Sequence, residues 1–409
     1  MLKQFYARPS SWARLRLGPL GPYIDAFAQR LSTRSYARSA GRHKIRAVAR
    51  FNRWLARRQY SVANLDEEIV LAFLSRRRNG LSRREAPSAL RMLLSLLRDA
   101  GIIRCVPVRE ETPLHAIEQR FARYLTQVRG LAKPTINNYL PIARTFLSER
   151  FGDNQITLDE LTPRDITRFI VRHVNRMSPR SAQLVITALR SFFRYLYERG
   201  EISTNLVASI PTVANWRMSD LPKFLEPEHA ECLLASCNRS VPTGRRDYAV
   251  LLLLAQLGLR AGEVVHMQLD DLDWERGELM VRGKSLRHDR LPIPTDVGEA
   301  LAGYLCHRPP CSSRRVFLRI NAPRQGLTGS SAVCDIVRRA LVRAGLHPAR
   351  KGSHLLRHGL AVKMLRGGAS LAEISEILRH ELPSTTEIYT KVDVAALRAL
   401  ALPWKGGEL

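Results

Sequence analysis

Apolar residues in the first two hundred positions recur three and four residues apart, which is the spacing of an amphipathic helix. The polar positions between them are rich in arginine. Two clear stripes are Met92, Leu93, Leu96 and Leu97, and Phe192, Phe193, Leu196 and Tyr197. The pattern predicts a series of helices, each with one apolar face that packs into a core.

These two hundred residues also contain an internal repeat, which suggests two copies of one helical unit. Apolar positions of the first copy recur in the same order in the second: Phe27 and Phe121, Phe51 and Phe146, Phe73 and Phe169, Leu90 and Leu189. Gly101 and Gly200 close the last helix of each copy. Two similar helical blocks are therefore predicted, at 1–107 and 113–210.

The remainder of the chain has a different pattern. A proline-containing segment, 211–223, reads as a linker. Beyond it, an apolar helix is predicted at 248–257, and two strand-like runs at 279–281 and 290–293 flank a hairpin turn at 283–285. The domain at 224–404 is thus mixed, and the fold class is mainly α with a small β-sheet.

The charge of the chain points to a polyanionic partner. The sequence has 65 Lys and Arg against 37 Asp and Glu, a formal net charge of +28 and a pI near 10.8. No apolar run approaches the roughly 20 residues that span a bilayer, so nucleic acid is favoured over a membrane. The first residues lack the apolar segment of a secretory signal, and we expect a cytoplasmic, nucleoid-associated protein.

Arginines lie four and three residues apart on one predicted helix of the first block: Arg42, Arg46, Arg50 and Arg53. Two interpretations remain open for this row. It could contact phosphates, or it could be a solvated helix face, since exposed charge often has no other role.

Chemistry-bearing residues occur in the 224–404 segment. Arg260 follows a tight turn, and Glu263 lies three residues on, where it could hold the guanidinium. His354 and Arg357 are three residues apart, so they share one side of a helix turn. Phosphodiester transfer without a metal needs cations, a proton donor and a nucleophile, and arginine and histidine supply the first two.

A nucleophile is also available, since Tyr389 comes nine residues after His380. An isolated Tyr is usually a packing residue, and an isolated His is usually a satisfied hydrogen-bonding group. The order of the residues is therefore more informative than any one of them.

In this order the residues resemble the tyrosine recombinase, or phage integrase, family, whose pattern is Arg, a hairpin Lys, His-x-x-Arg, His or Trp, and Tyr. The resemblance covers about 224–400. It implies a tyrosine recombinase catalytic domain, preceded by SAM-like helical bundles, of which the block at 113–210 resembles the core-binding domain. The block at 1–107 is a second copy that a minimal recombinase lacks.

The resemblance implies that Tyr389 attacks the scissile phosphate, forms a 3′-phosphotyrosyl link and frees a 5′-hydroxyl. Arg260 and Arg357 would bind the non-bridging oxygens, because forked guanidinium donors match phosphate geometry. No metal and no other cofactor is implied, because the energy of the broken bond is kept in the phosphotyrosine.

The resemblance also implies the residues that transfer protons. Lys284, in the hairpin turn, would protonate the leaving oxygen. His354 would assist proton transfer at the tyrosine, and His380 would donate a hydrogen bond to the phosphate. His358 lies on another part of the helix turn and is interpreted as structural.

Two features depart from the family pattern. The family usually has Gly before its second His, whereas Arg379 stands there in this chain, and its side chain could shift the imidazole of His380 or contact phosphate. The assignment of Lys284 rests on its place in the hairpin, and Arg282 and Arg287 are competing cations.

The expected enzyme is a site-specific DNA recombinase for integration, excision or transposition of a mobile element. Its partners would be double-stranded DNA, further copies in a homotetramer on synapsed sites, and possible sister recombinases. The first block could hold an adjacent DNA segment, an accessory site or another protomer. The tail at 392–404 could dock on a neighbouring protomer or pack on its own domain. Alternatives are a type IB topoisomerase and a catalytically silent DNA-binding protein.

Overall fold

Helices make up most of the protein. The computed structural model describes residues 2–75, 82–103, 112–152, 154–175, 177–213, 221–283, 288–382 and 385–392. By contacts between Cα atoms the chain divides into two compact units, Met1–Ile103 with Asp220–Leu409, and Arg104–Ser219. Within the described residues, three strands accompany the helices, which confirms the predicted fold class.

The first helical block has a hydrophobic core of its own, which includes Phe27, Phe51 and Leu90, all fully buried. The third and fifth helices pack against each other along this core. The helices are α1 (Pro9–Arg16), α2 (Ile24–Thr33), α3 (Arg38–Arg57), α4 (Glu67–Ser75) and α5 (Ser82–Asp99).

The second block is a four-helix unit around a separate core that contains Phe121, Phe146 and Phe192. Its second and fourth helices pack together. The helices are α6 (Pro113–Gln127), α7 (Lys133–Phe151), α8 (Pro163–Val174) and α9 (Pro179–Glu198).

The two blocks have the predicted matching order of helices, in which α2 to α5 correspond to α6 to α9. The rings of Phe51 and Phe73 meet edge to face at 5.1 Å, and those of Phe146 and Phe169 do so at 5.4 Å. Gly101 and Gly200 adopt left-handed φ values of +70° and +67° after the last helix of each block. The repeated apolar positions thus occupy equivalent core places.

Local sequence explains where the helices of the second block begin. A proline lies in the first turn of α6, α7, α8 and α9, where its missing N–H costs nothing and its fixed φ suits the helix. At the start of α8, the Asp165 carboxylate accepts a hydrogen bond from the Thr162 backbone N–H at 3.0 Å, which satisfies a donor outside the helix.

The third region surrounds α11, a helix with an apolar run at 248–255, and this helix packs on α13, α14 and α15. The predicted helix at 248–257 forms the greater part of it. The helices of this region are α10 (Pro227–Ala235), α11 (Pro242–Gln256), α12 (Ala261–His266), α13 (Thr295–Leu305), α14 (Ser330–Arg343), α15 (His354–Arg366) and α16 (Leu371–Ile377), followed by a 3₁₀ helix at Glu387–Val392.

A small antiparallel sheet accompanies these helices, in the order β1 (Leu272–Asp273), β2 (Glu278–Arg282) and β3 (His288–Pro292). Leu279 pairs with Leu291, and both are buried. The two predicted strands are confirmed. The residues that join β2 to β3 include Lys284 and Arg287, which lie outside the described residues, as does the tail from 393 to 404.

Within the described ranges, no helix combines the length and the apolar character needed to cross a membrane.

Candidate active site

Arg260 follows a tight turn between α11 and α12 that depends on Gly258. Gly258 has a φ of +56°, a left-handed conformation that glycine adopts without steric penalty. A Cβ at this position would lie 2.6 Å from Leu378 Cδ2. The absence of a side chain therefore lets the turn approach the end of α16, where other site residues lie.

Glu263 holds Arg260, as the sequence predicted. Its Oε1 accepts from Arg260 Nη1 at 2.8 Å, and its Oε2 accepts from the Arg260 backbone N–H at 2.8 Å. Burial favours the neutral carboxyl, but Arg379 and Arg260 together outweigh it and lower the pKa of Glu263. The carboxylate stays charged, and the Arg260 side chain stays one-third exposed (34%).

Arg357, on α15, is only 4% exposed. Its Nη1 donates to the carbonyl of Gly258, and its Nη2 donates to the carbonyl of Leu378. Burial, followed by the charges of Arg260 and Arg379, lowers the pKa of Arg357 to about 10. The guanidinium therefore remains charged at neutral pH.

The segment after α16 brings the two predicted arginines together. Arg260 Nη2 donates to the carbonyl of Arg379 at 2.9 Å, and Arg357 donates to the preceding carbonyl, that of Leu378. Two guanidinium groups, one from the residue before α12 and one from α15, thus bind adjacent peptide groups, and paired guanidinium groups suit the binding of phosphate.

Arg379 itself adds a third guanidinium. It is 8% exposed and has a φ of +54°, an unfavourable conformation for a residue with a Cβ. Its Nη2 donates to Glu263 Oε2 at 3.0 Å, and its Nη1 donates to the carbonyl of Ile377 at 3.0 Å. Its buried Nε has no hydrogen-bond partner among the described residues.

His380 lies beside the tyrosine. Its Nδ1 is 2.7 Å from Thr386 Oγ1, and its ring is nearly parallel to that of Tyr389, with centroids 6.5 Å apart. Burial, then the charge of Arg357 and that of Arg260, lowers the pKa of His380 to about 4. The imidazole is therefore neutral at neutral pH.

Tyr389 lies in the 3₁₀ helix and is fully buried. Burial raises the pKa of Tyr389 to about 12, and the charge of Arg357 opposes that shift. The phenol oxygen is 2.7 Å from His358 Nδ1. Burial lowers the pKa of His358 to about 4, so both groups are neutral and the phenol can donate to the imidazole.

The histidine that contacts Tyr389 is therefore His358, which the sequence interpretation had treated as structural. The predicted His354 is exposed one helix turn earlier on α15, and its ring centroid is 6.1 Å from that of His358. The two residues are four apart on one helix face, a spacing that could have indicated the second histidine.

Arg282 is the one of the three hairpin cations Arg282, Lys284 and Arg287 that lies within the described residues. Arg282, a competitor for the role given to Lys284, donates to Asp271 Oδ1 at 2.7 and 3.0 Å. Asp271 is buried, so this arginine is held at the end of β2. It is therefore a poor candidate for a mobile proton donor.

A concave space of about 930 Å³ opens beside these residues, between β3 and α16. Arg379, His380 and Thr386 are among the residues that line it. Two of these lining residues contact the other site groups, since the Arg379 carbonyl accepts from Arg260 and the His380 ring lies beside that of Tyr389. This set can bind an anionic phosphodiester and offers an oxygen nucleophile.

Two protein-family models match the chain. The one described as the phage integrase family matches residues 223–395, and the one described as the phage integrase N-terminal SAM-like domain matches residues 119–200. Both matches lie after the first block. They support the predicted resemblance for the second block and the catalytic region.

Similar proteins are also named as integrases or recombinases. The chain is 44% identical over 414 residues to an integrase/recombinase of Sinorhizobium fredii, y4rA, with 99% of each covered. It is 32% identical over 289 residues to tyrosine recombinase XerD of Listeria innocua, which covers 68% of this chain and 94% of the relative. The similarity to y4rA thus includes the first block.

The fold is shared with a solved structure described as a lambda integrase tetramer bound to a Holliday junction. The two are 20% identical, with a TM-score of 0.52, and the match covers 75% of this chain and 88% of the other.

Proposed function

Because the chain belongs to the phage integrase family of tyrosine recombinases, which are site-specific DNA recombinases, we propose that it exchanges DNA strands through a 3′-phosphotyrosyl intermediate on Tyr389. We propose that this reaction integrates, excises or transposes a mobile element. One arrangement supports the mechanism. Arg357 and Arg260 bind the adjacent carbonyls of Leu378 and Arg379, and the ring of the next residue, His380, is nearly parallel to that of Tyr389, with centroids 6.5 Å apart.

In the proposed first step, the Tyr389 oxygen bonds to the scissile phosphorus while the bond from phosphorus to the 5′-oxygen breaks. The phenol proton passes to a base, and the leaving 5′-oxygen takes a proton from Lys284. Arg260 and Arg357 would neutralise the charge that builds on the non-bridging oxygens. Attack by a 5′-hydroxyl of the partner strand reverses the step and restores the tyrosine.

The contacts of the histidines support a division of their roles. His358 is neutral and lies 2.7 Å from the phenol oxygen, so we propose that it accepts the hydrogen bond of the resting nucleophile. The proposed role of His354 is proton transfer at Tyr389 once DNA is bound, since its exposed ring lies next to His358. His380 would donate a hydrogen bond to the phosphate through Nε2, because its Nδ1 is held by Thr386.

The proposed domains follow the sequence interpretation. The block at 113–210 would bind the core DNA site opposite the catalytic domain at 224–404, with 211–223 as the linker, and 1–107 as an added block. We propose a homotetramer on synapsed DNA sites, because the lambda integrase of shared fold is described as a tetramer on a Holliday junction. Nucleoid association would follow from DNA binding.

The test is covalent trapping of the protein on a nicked duplex that carries the ends of the element flanking its gene. The nick lets the cleaved strand diffuse away, so an adduct that resists denaturation accumulates. We expect an adduct with the natural protein and none with Tyr389→Phe. If no duplex from either end gives an adduct, or if Tyr389→Phe still gives one, the proposal fails. Relaxation of plasmid DNA by the monomer, without strand exchange, would favour the topoisomerase reaction.

A further inference from the structure

The first block carries a concentration of positive charge. Residues 1–60 contain 14 Lys and Arg and a single acidic residue, Asp25. That carboxylate is paired with Arg16 at 2.7 Å. The sequence of α3 contains no Asp or Glu at all, so nothing on this helix neutralises its arginines.

Part of this charge lies around a groove rather than on a flat face. A cavity of about 370 Å³ lies between α3 and the segment at 5–15. Five of its lining residues are arginines, and none is acidic. The polar lining residues are Arg8, Ser11, Arg14, Arg38, Arg42 and Arg46.

The groove is built into the block by specific contacts. The Arg42 guanidinium lies 5.2 Å from the centroid of the Tyr6 ring, and its buried Nε has no hydrogen-bond partner among the described residues. Arg38 Nε donates to the carbonyl of Phe5 at 3.3 Å. Because Arg38, Arg42 and Arg46 are four residues apart, they form a row with a rise of about 6 Å between neighbours.

In the corresponding helix of the second block, the arginines form ion pairs with acidic residues. On α7, Arg144 is paired with Glu118 at 2.5 Å, and Arg150 is paired with Asp165 at 3.1 Å. No described acidic residue forms an ion pair with the three groove arginines of α3. The two repeated blocks therefore differ in the ion pairing of these arginines, and the row of arginines without an ion pair to a described acidic residue lies on α3 of the first block.

We propose that this arginine groove is a second binding site for the sugar-phosphate backbone of duplex DNA, additional to the DNA contacts of the second block and the catalytic region. Arginine forks match phosphate geometry, and phosphate contacts fix position without reading sequence. The site would therefore strengthen binding to DNA of any sequence. This inference rests on the family's DNA substrate but does not require strand cleavage.

The test compares two triple variants, both made in full-length protein with Tyr389→Phe so that no covalent adduct forms. The groove variant is Arg8→Gln, Arg14→Gln and Arg46→Gln, three arginines that are exposed. The control variant is Arg34→Gln, Arg57→Gln and Arg58→Gln, which removes the same charge from exposed positions of the same block that do not line the groove.

Binding to fluorescent random-sequence duplexes of increasing length is measured by anisotropy over a range of salt concentrations. Each lost phosphate contact lowers the slope of log affinity against log salt by about 0.9, so the groove variant should lose up to about 2.7 on long duplexes. The control variant should keep most of the slope. Equal losses in both variants, or no loss in the groove variant, would overturn the inference.

Two further measurements separate the alternatives. If the groove variant keeps its DNA affinity but loses self-association in sedimentation, the groove is a protein contact and the DNA site is rejected. Circular dichroism must show equal helix content in both variants. The trapping experiment with intact Tyr389 reports on the proposed reaction independently, since it fails or succeeds for the natural protein whatever the groove binds.

Discussion

At the scale of single residues, the site buries the proposed nucleophile, Tyr389, in its protonated form. Burial raises the pKa of Tyr389 to about 12, and its hydroxyl is 2.7 Å from a neutral imidazole nitrogen of His358. The charge of Arg357 opposes the effect of burial. Burial therefore keeps the phenol protonated, whereas the charge of Arg357 and the contact with His358 favour loss of the proton.

Arg379 is the other residue whose surroundings suggest a specific role. Glu263 is shared between Arg260 and Arg379. If Arg260 turns from Glu263 to a phosphate, Arg379 still neutralises the carboxylate. Without Arg379, Glu263 would compete with the phosphate for Arg260, because a buried carboxylate left alone carries a large penalty.

We therefore expect Arg379→Gly to slow formation of the covalent adduct about tenfold, which corresponds to about 1.4 kcal/mol. Gly tolerates the left-handed φ of this position, so backbone strain does not explain a loss. Adding Glu263→Gln should restore part of the rate, since a neutral amide holds Arg260 less strongly. Rates of adduct formation at saturating DNA test this, and an unchanged rate in Arg379→Gly would contradict it.

The sequence predicted Arg260, Arg357, His380 and Tyr389 as members of one site, and the structure brings these four together. The sequence could not show the contacts of His358 or Arg379. A motif gives the order of residues along the chain, whereas the contact of His358 with Tyr389 depends on how the 3₁₀ helix packs against α15. The assignment of Lys284 stays a prediction.

At the scale of elements, the site depends on the turn between α11 and α12. Arg357 Nη1 donates to the carbonyl of Gly258, so the turn positions one site arginine directly and precedes the other. The left-handed φ of Gly258 and its closeness to Leu378 are both required for this arrangement.

We expect Gly258→Ala to lower the stability of the catalytic region by about 3 kcal/mol, from left-handed strain of about 1 to 2 kcal/mol and the added clash with Leu378. Gly277→Ala is the matched control. Gly277 also has a left-handed φ, of +66°, but nothing lies within 4 Å of its added Cβ, so only about 1 kcal/mol should be lost. Hydrogen exchange of the α11 amides measures both, and equal losses would contradict the proposed close contact.

Long periodic elements were predictable and short ones were not. The helix at 248–257 and both strands of the hairpin were predicted, because their apolar patterns extend over several turns or alternations. The two-residue β1, the six-residue α12 and the 3₁₀ helix at Glu387–Val392 are too short for periodicity. Their positions are fixed by packing and by single contacts, such as that between Glu263 and Arg260.

At the scale of the whole molecule, the chain combines family elements with an added copy of one of them. The matched family models lie after residue 103, while the relative y4rA covers 99% of the chain. The repeat was visible in the sequence because core positions recur in order. Its charge was visible too, but the groove was not, since residues 5–15 and α3 meet only in the folded block.

Because the two helical blocks have separate hydrophobic cores, we expect that a substitution that destabilises one block leaves the stability of the other unchanged. Phe51 and Phe146 occupy equivalent, fully buried places in the first and second cores, and truncating either side chain removes core contacts and leaves a cavity. We expect Phe51→Leu and Phe146→Leu each to cost roughly 1 to 3 kcal/mol. Because the two clusters share no residue, their effects should be additive in the double variant.

Hydrogen exchange with mass spectrometry tests this at the level of the blocks. Phe51→Leu should speed exchange in the peptides of α2 to α5 and leave those of α6 to α9 unchanged, and Phe146→Leu should do the reverse. Adduct formation should fall more in the second variant, because the second block is the proposed core-binding domain. Faster exchange in both blocks from either substitution would mean that they unfold as one cooperative unit, and the proposed division at 107–113 would then be wrong.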